Sequence, residues 1–162
     1  MLRIALLYEL PVPPGVAFAY VTAPNRLHEW QANTVSVVAD PPPPLRLGTR
    51  LTETRRAPIG GRTVTAVVEV VAYEPGERFD LHVVDGPLPI DVSHTFAPGA
   101  TPNTTHLEVV LHGELPYPFR LVQPLFRRML EKQFRADYER LAERLAMVDA
   151  QRRGSPESSP MG

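Results

Sequence analysis

Histidine and carboxylate side chains are the groups of this 162-residue chain that could carry chemistry. His94 is the foremost of them, because strand alternation places it on the same face as Phe79 and Leu107. Inside a pocket, its imidazole could hydrogen-bond a ligand or transfer protons, with a pKa tuned by burial. The alternative is a core histidine whose ring is satisfied by a backbone carbonyl or by water. Both interpretations stay open at this point.

Glu53 is the second candidate, because it alternates with Leu51 toward the interior of a predicted strand. A carboxylate there could contact a ligand or act as a general base with a raised pKa. The competing interpretation is a solvated residue near a sheet edge, or an ion pair with Arg55.

The other histidines do not join His94 in a predicted metal site. His82, His106 and His112 alternate onto the opposite face of their strands. The chain has no cysteine, which excludes disulfides, thiolate metal sites and a cysteine nucleophile. It also lacks a G-x-S-x-G motif, a phosphate-binding glycine loop and a dinucleotide fingerprint. We therefore predict no metal and no cofactor.

Seven strand patterns, cut by turn signals, must position these side chains. They cover residues 2–10, 34–40, 48–56, 62–73, 78–84, 88–97 and 104–115. Prolines at 13 and 14 open a short helix over residues 15–23, since proline is tolerated at a helix start. A second short helix over residues 25–31 carries Trp30, the only tryptophan.

Hairpin geometry predicts which side chains of the sheet share a face. The predicted opposed residues are Tyr73 with Arg78, Val84 with Pro89, and Ala97 with Thr104. All three hairpins gather apolar side chains on one face and mostly polar ones on the other. The sequence thus predicts one antiparallel sheet with a core face and a wetter face.

Residues 119–148 switch to helical periodicity. Their apolar stripe consists of Val122, Phe126, Leu130, Phe134, Tyr138, Leu141 and Leu145. A helix of this length spans about 45 Å, enough to cross the sheet. Pro124 either kinks this helix or marks its start. We predict one domain over residues 1–150 and a disordered tail over residues 151–162.

This order of elements is that of the helix-grip fold. The chain also contains the segments VPPGVAFAYVTAPNRLHEW, LGTRL, VVEVVAYEPGERFDLHV and HTF, followed by the final helix. In these features, over about residues 2–147, the sequence resembles the polyketide cyclase/dehydrase and lipid-transport superfamily (START-like, birch-pollen-allergen-like, SRPBCC). The resemblance implies an α+β fold in which a seven-stranded antiparallel sheet wraps a long C-terminal helix, with two short helices after the first strand. It also implies an apolar ligand between sheet and helix, and some members catalyse cyclisation or dehydration.

Large side chains join His94 and Glu53 as predicted cavity residues. These candidates are Tyr8, Trp30, Phe79, Leu107, Tyr117, Phe126, Met129 and Phe134. Each could line a cavity or simply fill the core, since an aromatic stripe at helical spacing is core by default. Tyr117, between two prolines, could gate the cavity or lie on the surface.

Composition argues against two classes of function, nucleic-acid binding and membrane spanning. With 17 basic and 18 acidic residues, the net charge of −1 does not favour nucleic acid. No apolar run reaches the roughly 20 residues of a membrane span. Its single lysine and 19 prolines suggest a bacterial, GC-rich origin, and we expect a cytoplasmic monomer or homodimer.

Three functions remain open. The first is binding or carriage of a hydrophobic small molecule, lipid-, polyketide- or isoprenoid-like, between sheet and helix. The second is a cyclase, aromatase or dehydratase that acts on a polyketide-like substrate by acid/base catalysis. The third is a non-catalytic protein-interaction module that uses the outer face of the sheet.

Overall fold

The computed structural model describes residues 1–57 and 60–154, and it has the predicted order of elements. In chain order they are β1 (Leu2–Leu10), α1 (Pro14–Val21), a 3₁₀ turn (Pro24–Arg26), α2 (Leu27–Trp30), β2 (Thr34–Asp40), β3 (Arg50–Arg56), β4 (Thr63–Glu74), β5 (Arg78–Asp85), β6 (Ile90–Pro98), β7 (Thr105–Gly113), a second 3₁₀ turn (Phe119–Val122) and α3 (Gln123–Gly154). The predicted helix-grip architecture is confirmed.

The strands form one antiparallel sheet in the order β1-β7-β6-β5-β4-β3-β2. Only β1 pairs with a strand distant in sequence, β7, and that pairing brings the first strand to the end of the meander. Side chains of β1 alternate between buried and exposed along most of the strand. One face of the sheet is therefore the core face, as the strand alternation predicts.

Two of the predicted hairpin registers need correction. Tyr73 lies opposite Phe79 rather than Arg78, because Gly76, at φ 76°, allows a three-residue turn between β4 and β5. A bulge between Val70 and Ala72 then restores the predicted pairing of Val70 with Leu81.

The β6–β7 register differs by two residues, since Ala97 lies opposite His106 rather than Thr104. The loop is closed by the Gly99 N–H, which donates to the Thr104 carbonyl at 3.0 Å. A shift of two preserves the side-chain face, so the predicted core face survives the error. The β5–β6 register is as predicted, with Phe79 opposite His94.

α3 supplies the helical side of the core. Its Leu130, Tyr138, Leu141 and Leu145 are buried in one cluster with the apolar side chains of β1. The predicted stripe begins at Phe126 and not at Val122, because Val122 lies in the 3₁₀ turn and is exposed. Among the described residues, no helix combines the length and apolar character that a membrane crossing requires.

The ends of α3 refine two predictions. The helix begins at Gln123, so Pro124 sits in the first turn, where its missing N–H leaves no hydrogen bond unmade. At the other end, α3 continues to Gly154 and includes the first residues of the predicted tail. The rest of that tail, residues 155–162, lies outside the described residues.

Candidate functional site

A cavity of about 500 Å³ lies between the core face of the sheet and α3. That volume falls within the range of about 300–1,000 Å³ in which proteins bind small molecules. Strands β3 to β6 form one wall, and α2 and α3 form the other. Apolar side chains make up most of this wall, including Leu51, Ala66, Val68, Leu81, Val83, Ile90, Val92 and Leu130.

Most of the predicted cavity residues lie in this wall. They are Trp30, Glu53, Phe79, His94, Phe126, Met129 and Phe134. The sheet contributes Glu53, Phe79 and His94 because inward-facing residues of neighbouring strands lie side by side. That they contact a ligand remains a prediction.

Three of the predicted residues lie outside the cavity lining. Leu107 pairs with Phe96, because the two-residue register shift puts Val109 opposite His94, and it is fully buried in the core. Tyr8 stacks on Tyr138 at 5.8 Å between ring centroids, with its hydroxyl buried. Tyr117 has 77% of its surface exposed and lies before α3.

His94 is buried and is hydrogen-bonded through both of its ring nitrogens. Its Nδ1 lies 2.9 Å from the Phe79 carbonyl oxygen, and its Nε2 lies 2.6 Å from the Tyr138 hydroxyl. Because a carbonyl only accepts, Nδ1 carries the hydrogen. Burial lowers the pKa of His94 from its ordinary value of 6.5 to about 4, so the ring is neutral at neutral pH. Nε2 is then the acceptor and Tyr138 the donor.

Tyr138 holds the other end of this contact. Burial raises the pKa of Tyr138, which keeps its O–H group intact as a donor. Its ring also packs against Trp30, at 5.2 Å between ring centroids. Protein groups therefore occupy both ring nitrogens of His94. The ring carbons are the atoms of the imidazole that remain to contact a molecule in the cavity.

Glu53 belongs to a second polar group on the cavity wall. The Arg55 guanidinium donates to Glu53 Oε2 from Nε at 3.0 Å and from Nη2 at 2.8 Å. The same Nη2 donates to the side-chain oxygen of Gln31 at 2.9 Å. Glu53 has only 4% of its surface exposed, and the ion pair with Arg55 compensates the burial of its charge.

Several polar residues of the site were not singled out from the sequence. Tyr138 appears there only as a member of the apolar stripe, although its position within that stripe already signals a core-facing hydroxyl. Gln31 and Gln133 line the cavity from the end of α2 and from α3. Gln133 follows Leu130 by three residues and Met129 by four, so helical spacing was the signal that could have placed it in the lining.

The outer-face histidines form a separate set of contacts. Asp91 pairs with His82 and lies 3.7 Å from His112, and Glu9 lies 2.7 Å from His106. All these side chains are substantially exposed. Within residues 1–57 and 60–154, no group of three or more histidine and acidic side chains is arranged to hold a metal ion.

A protein-family model covers nearly the whole chain. The family model described as polyketide cyclase / dehydrase and lipid transport matches residues 1–148. No curated protein matches the sequence.

Solved structures show the same fold at low sequence identity. TTHA0849 from Thermus thermophilus superposes with a TM-score of 0.75 at 16% identity, over 91% of this chain and 99% of that one. CV1439 from Chromobacterium violaceum gives 0.68 at 20% identity, over 88% and 96% of the two chains. Ara h 8.0201 gives 0.62 at 13% identity, over 90% and 98%.

Proposed function

The chain belongs to the polyketide cyclase/dehydrase and lipid transport family, and we propose that it binds a hydrophobic small molecule between the sheet and α3. The observation that carries this proposal is the cavity of about 500 Å³ with its largely apolar wall. Burial of apolar ligand surface there contributes affinity of about 25 cal/mol per Å² before the costs of binding are subtracted. A lipid-, isoprenoid- or polyketide-like molecule has the required apolar surface.

The size of the cavity gives this proposal an energetic argument. Forming 500 Å³ of empty space would cost about 12 kcal/mol at roughly 24 cal/mol per Å³. That cost is comparable to the whole stability of a domain, roughly 5–15 kcal/mol. The cavity therefore holds either water or a ligand, and a mostly apolar wall gives water few hydrogen-bond partners.

The polar groups of the wall support binding more than acid/base catalysis. A general acid or base needs a nitrogen or oxygen free to reach the reacting proton. Both nitrogens of His94 are engaged, by Phe79 and by Tyr138, and Glu53 is held by Arg55. A proton transfer through His94 would first have to break one of its two contacts. Arg55 engages Oε2 of Glu53 and not Oε1, so Glu53 is the one residue of the pair with an oxygen left for acid/base chemistry.

The outer face of the sheet gives weaker support to an interaction module. Its exposed large apolar side chains include Leu7, Val71 and Val84, interspersed with the paired histidines and acids. Scattered apolar residues of this kind are ordinary on protein surfaces.

Thermal denaturation with a ligand panel tests the proposal. A molecule that binds only the native state at 100 times its Kd stabilises it by about 2.7 kcal/mol, which raises the Tm of a domain this size by roughly 5–10 °C. The panel should contain fatty acids, isoprenoid alcohols and aromatic polyketides. At least one class should raise Tm in a concentration-dependent manner, and native mass spectrometry should show a one-to-one complex. If no class shifts Tm, binding of this ligand type is refuted.

A further inference from the structure

Five exposed large apolar side chains lie close together in sequence beside the cavity, in residues 117–125, here called the mouth segment. It comprises the end of the loop after β7, the second 3₁₀ turn and the first residues of α3. Its exposed large side chains are Tyr117 at 77%, Phe119 at 40%, Leu121 at 70%, Val122 at 49% and Leu125 at 71%. Elsewhere in the described residues, no element has more than two exposed large apolar side chains, and they are spread over several strands, a loop and the C-terminal half of α3.

The mouth segment has two sides. On the inner side, Phe119 lines the cavity and packs on Phe126 at 5.6 Å between ring centroids. On the outer side, Leu121 and Leu125 are largely exposed. Anything that covers these leucines therefore lies next to Phe119 and Phe126, which line the cavity.

Nothing in the fold itself requires these outer side chains to be apolar. A glutamine at position 121 or 125 would leave the inner contacts of Phe119 and Phe126 in place. Contiguous exposed apolar surface of this kind marks a site of contact with a membrane or with another protein.

The charges around the mouth segment distinguish between a membrane and another protein as its partner. Arg120, Arg127, Arg128 and Lys132 are exposed along and just after it. Of the nearby acids, Glu114 is exposed and Glu131 is paired with Arg135 at 2.9 Å. Apolar side chains flanked by cations match the interface of an anionic bilayer, where acyl chains lie beneath negative headgroups.

A second copy of the chain fits this surface less well. In a two-fold symmetric dimer the same patch meets itself, which would bring the cations of both copies together. Leu125 and Arg128 lie three residues apart and so are neighbours on the helix surface. If Leu125 lay near the two-fold axis, Arg128 of one copy would approach the cations of the other copy.

We propose that the mouth segment docks on the surface of an anionic lipid bilayer, with Leu121 and Leu125 inserted at the headgroup level and Arg127 and Arg128 against the headgroups. Docking in this orientation sets the rim of the cavity against the membrane, where an apolar molecule can pass between the two without crossing water. The docking itself does not depend on what the cavity binds.

Co-sedimentation with vesicles tests the docking. The full chain is mixed with vesicles of phosphatidylcholine alone, or of phosphatidylcholine with phosphatidylglycerol. The wild type should sediment with the anionic vesicles, and binding should weaken as salt is raised. The L121Q/L125Q variant should bind at least about tenfold more weakly. R127Q/R128Q should lose roughly fivefold for each cation removed.

A matched control uses exposed valines on β2, the strand at the other edge of the sheet. Val35 and Val38 are 50% and 63% exposed, so V35Q/V38Q removes a similar kind of apolar surface from an edge strand outside the mouth segment. This control should bind vesicles like the wild type. All variants alter exposed side chains, so their Tm values should match that of the wild type.

Two outcomes overturn the proposal. One is vesicle binding that is absent in the wild type or equal in the wild type and L121Q/L125Q. The other is a wild-type dimer in light scattering that L121Q/L125Q converts to a monomer, which would assign the surface to a second copy of the chain. Because the vesicles carry no added ligand, either result leaves the binding proposal for the cavity to its own test.

Discussion

His94 makes the stability of the fold depend on pH in a defined window. Burial lowers its pKa from 6.5 to about 4 in the native state, whereas the unfolded chain keeps a value near 6.5. Between these values the unfolded state binds more protons, so stability falls as the pH falls. At one pKa unit per 1.36 kcal/mol, the loss between pH 7 and pH 4 amounts to about 3 kcal/mol. Above pH 7 this contribution is fully present.

The assay is urea denaturation at half-unit pH intervals, compared with a variant that cannot titrate. Glutamine in the H94Q variant can still donate to the Phe79 carbonyl and accept from the Tyr138 hydroxyl, but it carries no charge. Carboxylates also titrate below pH 5, and the comparison subtracts their effect because both proteins contain them. The difference in unfolding free energy between wild type and H94Q should change by about 3 kcal/mol between pH 7 and pH 4.

A constant difference in unfolding free energy between the two proteins across this range would contradict the lowered pKa of His94. That result would mean that His94 is charged as easily in the folded protein as in the unfolded chain. His94 is only 3% exposed, and its hydrogen-bond partners are the Phe79 carbonyl and the Tyr138 hydroxyl. In such surroundings a charged imidazole ring should be less stable than it is in water.

Two other predictions concern buried carboxyl groups. Arg55→Met leaves the Glu53 charge buried without its partner and should lower the unfolding free energy, measured in urea, by about 3 kcal/mol. The double variant Glu53→Gln/Arg55→Met should recover most of that loss. Equal losses in both variants would contradict the pairing of Glu53 with Arg55. Burial raises the pKa of Asp137, which means that its charged form destabilises the native state. In thermal denaturation at pH 7, Asp137→Asn should therefore be at least as stable as the wild type. This advantage should disappear below pH 3.8, where the carboxyl group is neutral in both the folded and the unfolded protein. A clear drop in Tm at pH 7 would contradict it.

Local sequence patterns sufficed for the elements and for the core face of the sheet. The alternation in β1 and the prolines around α1 act over a few residues, where propensity and burial agree. Local sequence patterns did not determine the exact register between β6 and β7, because a slip of two residues keeps every side chain on its face. The register is set by the hydrogen bond between Gly99 and Thr104 that closes the loop. The alternation of apolar and polar residues does not predict that hydrogen bond.

The site was predictable only in part, for a related reason. Trp30 and Phe126 were predicted either to line a cavity or to fill the core, and both lie in the cavity wall. The contact between His94 and Tyr138 joins residues 44 positions apart and depends on the rotation and depth of α3 against the sheet. Whether large side chains fill the space or leave 500 Å³ open depends on that same packing, which periodicity does not determine.

Intrinsic fluorescence gives the most direct test of binding in the cavity, because Trp30 is the only tryptophan and lies in the cavity wall. Val83 lines the cavity, whereas its neighbour Val84 is 41% exposed, so V83F obstructs the cavity and V84F is a matched control. A ligand from the thermal panel should change Trp30 fluorescence saturably in the wild type and V84F, and at least about tenfold more weakly in V83F. Equal affinity in all three proteins would place the ligand outside the cavity and contradict the account.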